Sequence, residues 1–170
     1  MNLEKKDPVE KLLTSLRDSV FSRIGRSYPS MGARGSLEKG CESEDKTASR
    51  REVSREWVAF SFQGYDFWDL HIGTVFDKEQ NTVLIGIHIS KKLWPTLRER
   101  IEGIPWRKYP PLNPGYRFKE EWGEHRFVEP EIPFESSQLK RILEDLVTKA
   151  TLYYEVTSQA LNEGTEGGHQ

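Results

Sequence analysis

The chain is poor in the residues that carry most recognisable chemistry. It has one cysteine, Cys41, in 170 residues, so it can form no internal disulfide and cannot build a thiolate zinc cluster by itself. A reducing, cytoplasmic setting is expected. Long hydrophobic runs are also lacking, and Met1 to Asp7 is charged rather than basic and then apolar. Neither a membrane span nor a secretion leader is therefore expected. Excess charge of one sign is missing too: 25 Lys and Arg face 27 Asp and Glu, a formal net charge of -2. That balance excludes a broad, sequence-independent grip on nucleic acid, which needs excess cations to meet phosphates. It leaves room for a local basic patch. Phosphate loops of the Gly-x-x-x-x-Gly-Lys type, Gly-x-Ser-x-Gly elbows, His-Glu-x-x-His helices and paired-cysteine knuckles are all absent.

What is present reads as one α+β domain over 1–161. The first element is a helix with a start signal at Asp7-Pro8-Val9-Glu10. Here Asp can cap, Pro suits the first helical position and Glu falls three residues after the cap. Val9, Leu12, Leu13, Leu16, Val20, Phe21 and Ile24 then recur at helical spacing, and the helix should stop near Gly25. From Tyr28 to Ser54 the composition turns to Gly, Ser, Glu, Lys and Arg. Such a stretch cannot bury enough apolar area to offset its ordering entropy, so a mobile loop over 30–54 is expected, with Cys41 inside it.

Three β segments follow, Glu56 to Phe62, Phe67 to Asp77 and Thr82 to Ser90, separated by short breaks that predict an antiparallel meander. Ser90 can then cap a helix carrying Leu93, Trp94, Leu97 and Ile101, with Pro95 in its first turn and Gly103 as its stop. Tyr116 to Glu121 and Glu124 to Glu129 can pair as a second hairpin around Trp122-Gly123. A long helix from Ser136 or Ser137 to about Leu161 closes the domain, and 162–170 reads as a disordered tail. The expected architecture is a three-stranded meander extended by the second hairpin and covered by the N-terminal and C-terminal helices.

Side chains alternate across a strand, so the apolar set fixes the register. Pairing Asp77 with Thr82 sets Leu70, Ile72, Thr74 and Phe76 against Ile89, Ile87, Ile85 and Val83 as a core face. The other face then carries Asp69 across from Ser90, His71 across from His88, and Gly73 across from Gly86. A three-residue loop at 63–65 would pair Phe60 with Trp68 and Val58 with Leu70, bringing Trp57 beside His71. Glycine inside a strand forfeits packing and marks the close approach of a ligand or another backbone. Trp57, Asp69, His71, Gly73, Gly86 and His88 therefore form the candidate ligand-binding set, unless a helix covers the glycine pair and the histidines are merely structural.

Two imidazoles at cross-strand distance can share a proton, hold a phosphate or carboxylate, or ligate a metal. No metal and no other cofactor is assigned, because a catalytic zinc needs three protein ligands plus water and this register supplies two imidazoles and Asp69. Catalytic residues stay unassigned. His71-Ile72-Gly73-Thr74 and His88-Ile89-Ser90 only approximate the repeated His-x-Thr/Ser pair of two-histidine phosphodiesterases, since the first has a residue too many and the two lie on adjacent strands. A separate basic and aromatic set, Arg107, Lys108, Arg117 and Arg126 among Trp106, Tyr109, Tyr116, Phe118 and Phe127, suits single-stranded nucleic acid. Glu120, Glu121, Glu124 and Glu129 are interspersed, as on a mixed solvated surface. His125 is an exposed candidate with no assignable partner.

Trp57-Val58-Ala59-Phe60, His71-Ile72-Gly73, the strand Val83 to Ile89, the Leu93 to Ile101 helix and the closing Leu139 to Ala160 helix with Thr151-Leu152-Tyr153-Tyr154-Glu155-Val156-Thr157 together resemble the YktB-like family of small bacterial proteins. The resemblance implies a compact α+β domain with a helix-covered sheet and carries no activity, cofactor or catalytic residue. Three functions follow as expectations. The first is a binding domain for a small anionic ligand or a partner segment on the face of Trp57, His71 and His88. The second is a hydrolase of phosphate esters or nucleic acid in which His71 and His88 serve as acid and base or as metal ligands and Asp69 orients one of them. The third is an RNA- or ribosome-associated protein using Arg107, Lys108, Arg117 and Arg126.

Overall fold

A computed structural model describes residues 8–24, 55–62, 64–66, 68–77, 80–120 and 123–168. The expected loop 30–54, with Cys41, lies outside them. Helix α1 (Pro8–Ile24) begins on its proline and ends one residue before Gly25, as its apolar period requires. Strands β1 (Arg55–Ser61), β2 (Leu70–Asp77) and β3 (Thr82–Ser90) form the antiparallel meander. Helix α2 (Trp94–Glu102) has Pro95 in its first turn and Gly103 at its end. Strands β4 (Gly115–Lys119) and β5 (Glu124–Val128) make the second hairpin, and the short β6 (Ile132–Pro133) pairs with the start of β3. Helix α3 (Leu139–Gly168) follows a 3-10 turn at Ser136–Gln138.

The sheet order is β1-β2-β3-β5-β4, with β6 beside β3. One face is apolar: Phe60, Ile72, Ile85, Ile87 and Phe127 join Leu12, Leu16 and Val20 of α1 and Leu146, Ala150 and Tyr153 of α3 in one buried cluster. The fold is thus the expected α+β sheet covered by the N-terminal and C-terminal helices.

The register of β2 against β3 is the one expected, from Leu70 with Ile89 to Asp77 with Thr82. The turn at its end holds Asn81 at φ +54° and is tied by the Gln80 N–H donating to Asp77 Oδ1 at 3.2 Å. The β1 register differs from expectation by four residues. Phe60 lies opposite Ile72 and Val58 opposite Thr74, so Trp57 faces Val75 rather than His71, and Ser61 takes the place beside His71. The cause is local. Asp66 starts a turn in which its carboxylate accepts the Trp68 N–H at 2.9 Å and its carbonyl accepts Asp69 and Leu70 N–H, which lengthens the connection at the expense of β2. A shift of four keeps the alternation, and the core face survives it.

Three further expectations are corrected. Ser90 does not cap α2: it ends β3, donates its hydroxyl to Asp69 Oδ1 at 2.9 Å and accepts the Leu93 N–H at 3.1 Å, one turn ahead of the helix. The closing helix continues through Gly168 where a disordered tail was expected from 162. Glu129, read as a solvated residue, is buried just beyond β5. Its carboxylate accepts the Asn113 N–H at 2.6 Å, the Lys149 ammonium at 2.7 Å and the Tyr153 hydroxyl at 2.6 Å. Burial and the Glu129 charge push the Tyr153 hydroxyl well above the ordinary tyrosine range. For Lys149, burial alone would lower the pKa, but the hydrogen bond and charge of Glu129, with Asp145, raise it. This knot fixes the end of β5 to α3 and the 109–114 loop.

Candidate functional site

On the face away from α1 and α3, the pairing of five strands sets residues in rungs. His71 pairs with His88, His88 with Arg126, and Arg126 with Arg117, while Ser61 lies beside His71 at the other end. The result is a continuous cross-sheet rung Ser61–His71–His88–Arg126–Arg117, about 19 Å long at the usual strand spacing. One flanking rung is Ala59, Gly73, Gly86, Val128 and Gly115. The other contains Ser90, Glu124 and Lys119, with Asp69 joined to Ser90 through backbone and side-chain bonds. Four basic side chains thus stand in one line between a small-residue rung and a polar one.

The glycines serve close approach, though the neighbours are the chain's own. A Cβ on Gly73 would meet His88 Nε2 at 3.2 Å and His71 Cδ2 at 3.5 Å, so the two imidazoles lean over it. A Cβ on Gly86 would stand 2.3 Å from the Phe127 carbonyl oxygen and 2.6 Å from Val128 Cα, so β5 itself crosses that position. The imidazoles stack at a centroid distance of 4.8 Å and 24°, and they are 8% and 4% exposed for His71 and His88.

Glu124 completes the centre. His88 Nδ1 lies 3.3 Å from Glu124 Oε1, and Arg126 Nε donates to the same oxygen at 2.8 Å. Burial alone would raise the Glu124 pKa, but the hydrogen bond and charge of His88, helped by Arg126 and His71, hold it down at about 2. The carboxylate is therefore ionised at neutral pH. Nδ1 or Nε2 of both histidines and a Glu124 oxygen fall within 4.8 Å of one another, a donor set able to converge on a metal ion. His88 Nε2 is enclosed and has no hydrogen-bond partner among the described residues.

No family model, curated protein or solved structure matches the chain.

Of the sequence-derived ligand set, His71, His88, Gly73 and Gly86 are brought together. Asp69 touches the set only through Ser90, with Lys92 Nζ 3.9 Å away, so its carboxylate engages a serine rather than an imidazole. Trp57 packs against Trp68 at 6.2 Å and 75° instead of against His71. The nucleic-acid set divides. Arg126 and Arg117 join the histidine rung, whereas Arg107 and Lys108 sit exposed on the 3-10 turn Trp106–Lys108.

Glu124 is the residue that sequence reasoning missed. The signal was its position two before Arg126, which places both on one strand face, but nothing in the pattern sets β5 beside β3. His125, on the helix side of the sheet, stacks on Trp94 at 4.3 Å and 8°, and its Nδ1 lies 2.7 Å from the Tyr116 hydroxyl. Burial first, then the charges of Arg98 and Lys91, lowers its pKa. Tyr116 and Phe118 are 49% and 44% exposed beside it.

Proposed function

We propose that the protein is a binding domain for a small anionic ligand, held on the sheet face along the rung His71–His88–Arg126–Arg117. The observation that carries this reading is the unbroken line of basic side chains across four strands. Like charges directly opposite one another, as Arg117 and Arg126 are, destabilise a strand pair unless something negative lies between or over them. Glu124 supplies one negative charge to Arg126, and a phosphate or carboxylate over Arg117 would supply a second. The resemblance to YktB-like proteins is in keeping with a small α+β domain and adds no activity.

The test is titration with inorganic phosphate and pyrophosphate, followed by amide and side-chain NMR shifts at several salt concentrations. Wild type is expected to bind with shifts confined to β3, β4 and β5 and an affinity that falls with salt. Arg117→Ala, at an exposed position, should keep the fold and weaken binding on the order of tenfold or more, the loss of one charge-assisted contact. Equal affinity for wild type and Arg117→Ala would remove the reading.

A second reading has its own observation. Tyr116 and Phe118 project from the opposite face of β4, the strand that carries Arg117. A single-stranded nucleic acid could stack bases on those rings while its phosphates meet the arginine. A short oligouridine that binds wild type but not Tyr116→Ala would favour it over a small ligand. In a hydrolase reading Asp69 would not orient an imidazole, since its carboxylate accepts the Ser90 hydroxyl.

A further inference from the structure

We infer that His71, His88 and Glu124 form a binding site for a divalent first-row transition-metal ion. This site shares His71 and His88 with the anion reading, but its third donor is Glu124, whereas the anion's charge is met at Arg117 and Arg126. It begins from donor chemistry. Two imidazoles and one carboxylate suit zinc, cobalt, nickel or ferrous iron, whereas magnesium and calcium take oxygen ligands. Three protein ligands with an open fourth position is the pattern of a reactive site rather than a closed structural one.

Distance points the same way. The His88 Nδ1 to Glu124 Oε1 separation is 3.3 Å. That is long for a charge-assisted hydrogen bond, which runs about 2.7–2.9 Å. It equals the edge of a tetrahedron of ligands about 2.0–2.1 Å from a central ion, which is about 3.3 Å. The remaining donors lie within 4.8 Å, so His71 closes the set by side-chain rotation without a change of register. The strands already hold both ring-bearing residues as direct cross-strand partners.

Burial and the supporting shell fit a metal as well. His71 and His88 are nearly enclosed, and the Glu124 side chain is 15% exposed, which limits exchange of the three donors with bulk water. Arg126 Nε on Glu124 Oε1 at 2.8 Å orients the carboxylate from outside. The His88 ring that turns Nδ1 toward Glu124 lies over Gly73. Gly73 supplies the room, since a side chain there would press on that ring.

The experiment uses the full chain freed of metal with a chelator, in buffer without phosphate, titrated with Zn(II) by calorimetry and with Co(II) by visible absorption. One equivalent should bind, with the intense d–d bands of a four- or five-coordinate cobalt site. His71→Ala, His88→Ala and Glu124→Gln should each weaken binding by about a hundredfold or more, with circular dichroism reporting whether each variant is folded. Should a variant fail to fold, Co(II)-induced paramagnetic shifts of the His71 and His88 ring protons in wild type give the answer instead. Binding equal in wild type and folded variants would overturn the site, as would cobalt that leaves those ring protons unshifted or no uptake at all. Phosphate binding that survives Glu124→Gln but not Arg117→Ala would separate failure of the metal site from failure of the anion reading.

Discussion

Replacing Tyr153 by Phe deletes one hydroxyl from the buried Glu129 knot and leaves the ring. The lost contact is a 2.6 Å hydrogen bond to a carboxylate whose residue is 2% exposed, and a bond to a charged group contributes about 1.5–3 kcal/mol. The Asn113 N–H and Lys149 ammonium still serve the carboxylate, so the cost stays near the middle of that range, about 2 kcal/mol. For a chain of this length that corresponds to a fall in Tm of roughly 4–8 °C. The variant also has a pH signature. Tyr153 and Lys149 both have folded pKa values above their ordinary ones, so at alkaline pH the unfolded chain loses protons that the native chain keeps. Stability from both groups is complete below their unfolded pKa values, near 10, and is lost as the pH rises above them. Urea unfolding followed by circular dichroism, at pH 8 and in steps above pH 10, measures both effects. Tyr153→Phe should be less stable at pH 8 and show a shallower alkaline decline. Equal stability at pH 8, or an unchanged alkaline slope, would refute the assignment.

Other outcomes follow from the same geometry. Gly86→Ala puts a Cβ 2.3 Å from a backbone oxygen that cannot move aside, and should cost about 3 kcal/mol or more. Gly73→Ala meets only the far end of an imidazole at 3.2 Å and should cost under about 1 kcal/mol; thermal melts that rank the two the other way would contradict the account of the glycine rung. Ser90→Ala removes both the hydroxyl donated to Asp69 and the acceptor of the Leu93 N–H, for an expected loss of about 1–2 kcal/mol in urea unfolding.

How much was legible in the sequence depended on the range over which each cause acts. The β2–β3 register was readable because eight paired residues had to choose a core face together, and Gly73 and Gly86 came along with them. The β1 register was not, because Asp66 can build a turn with its own side chain and lengthen the loop by an even number of residues, which the alternation cannot detect. His71 and His88 were placed together on the same grounds as the core. Glu124 and Arg126 joined them only through the pairing of β5 with β3, a contact between segments more than thirty residues apart. The same long range hid Glu129: a carboxylate among other carboxylates reads as solvated until α3 brings Lys149 and Tyr153 to it.

Strand β4 ends the sheet, with β5 as its partner among the described residues. An edge of that kind offers free N–H and C=O groups to any passing strand. If two copies paired β4 to β4 antiparallel about the central residue, Arg117 would stand opposite Arg117, with Arg126 of each chain in the next position. That would stack four guanidinium groups side by side, an arrangement that repels itself. In that register, the arginines that give the sheet face its positive line would also oppose growth of the sheet by addition of copies of itself.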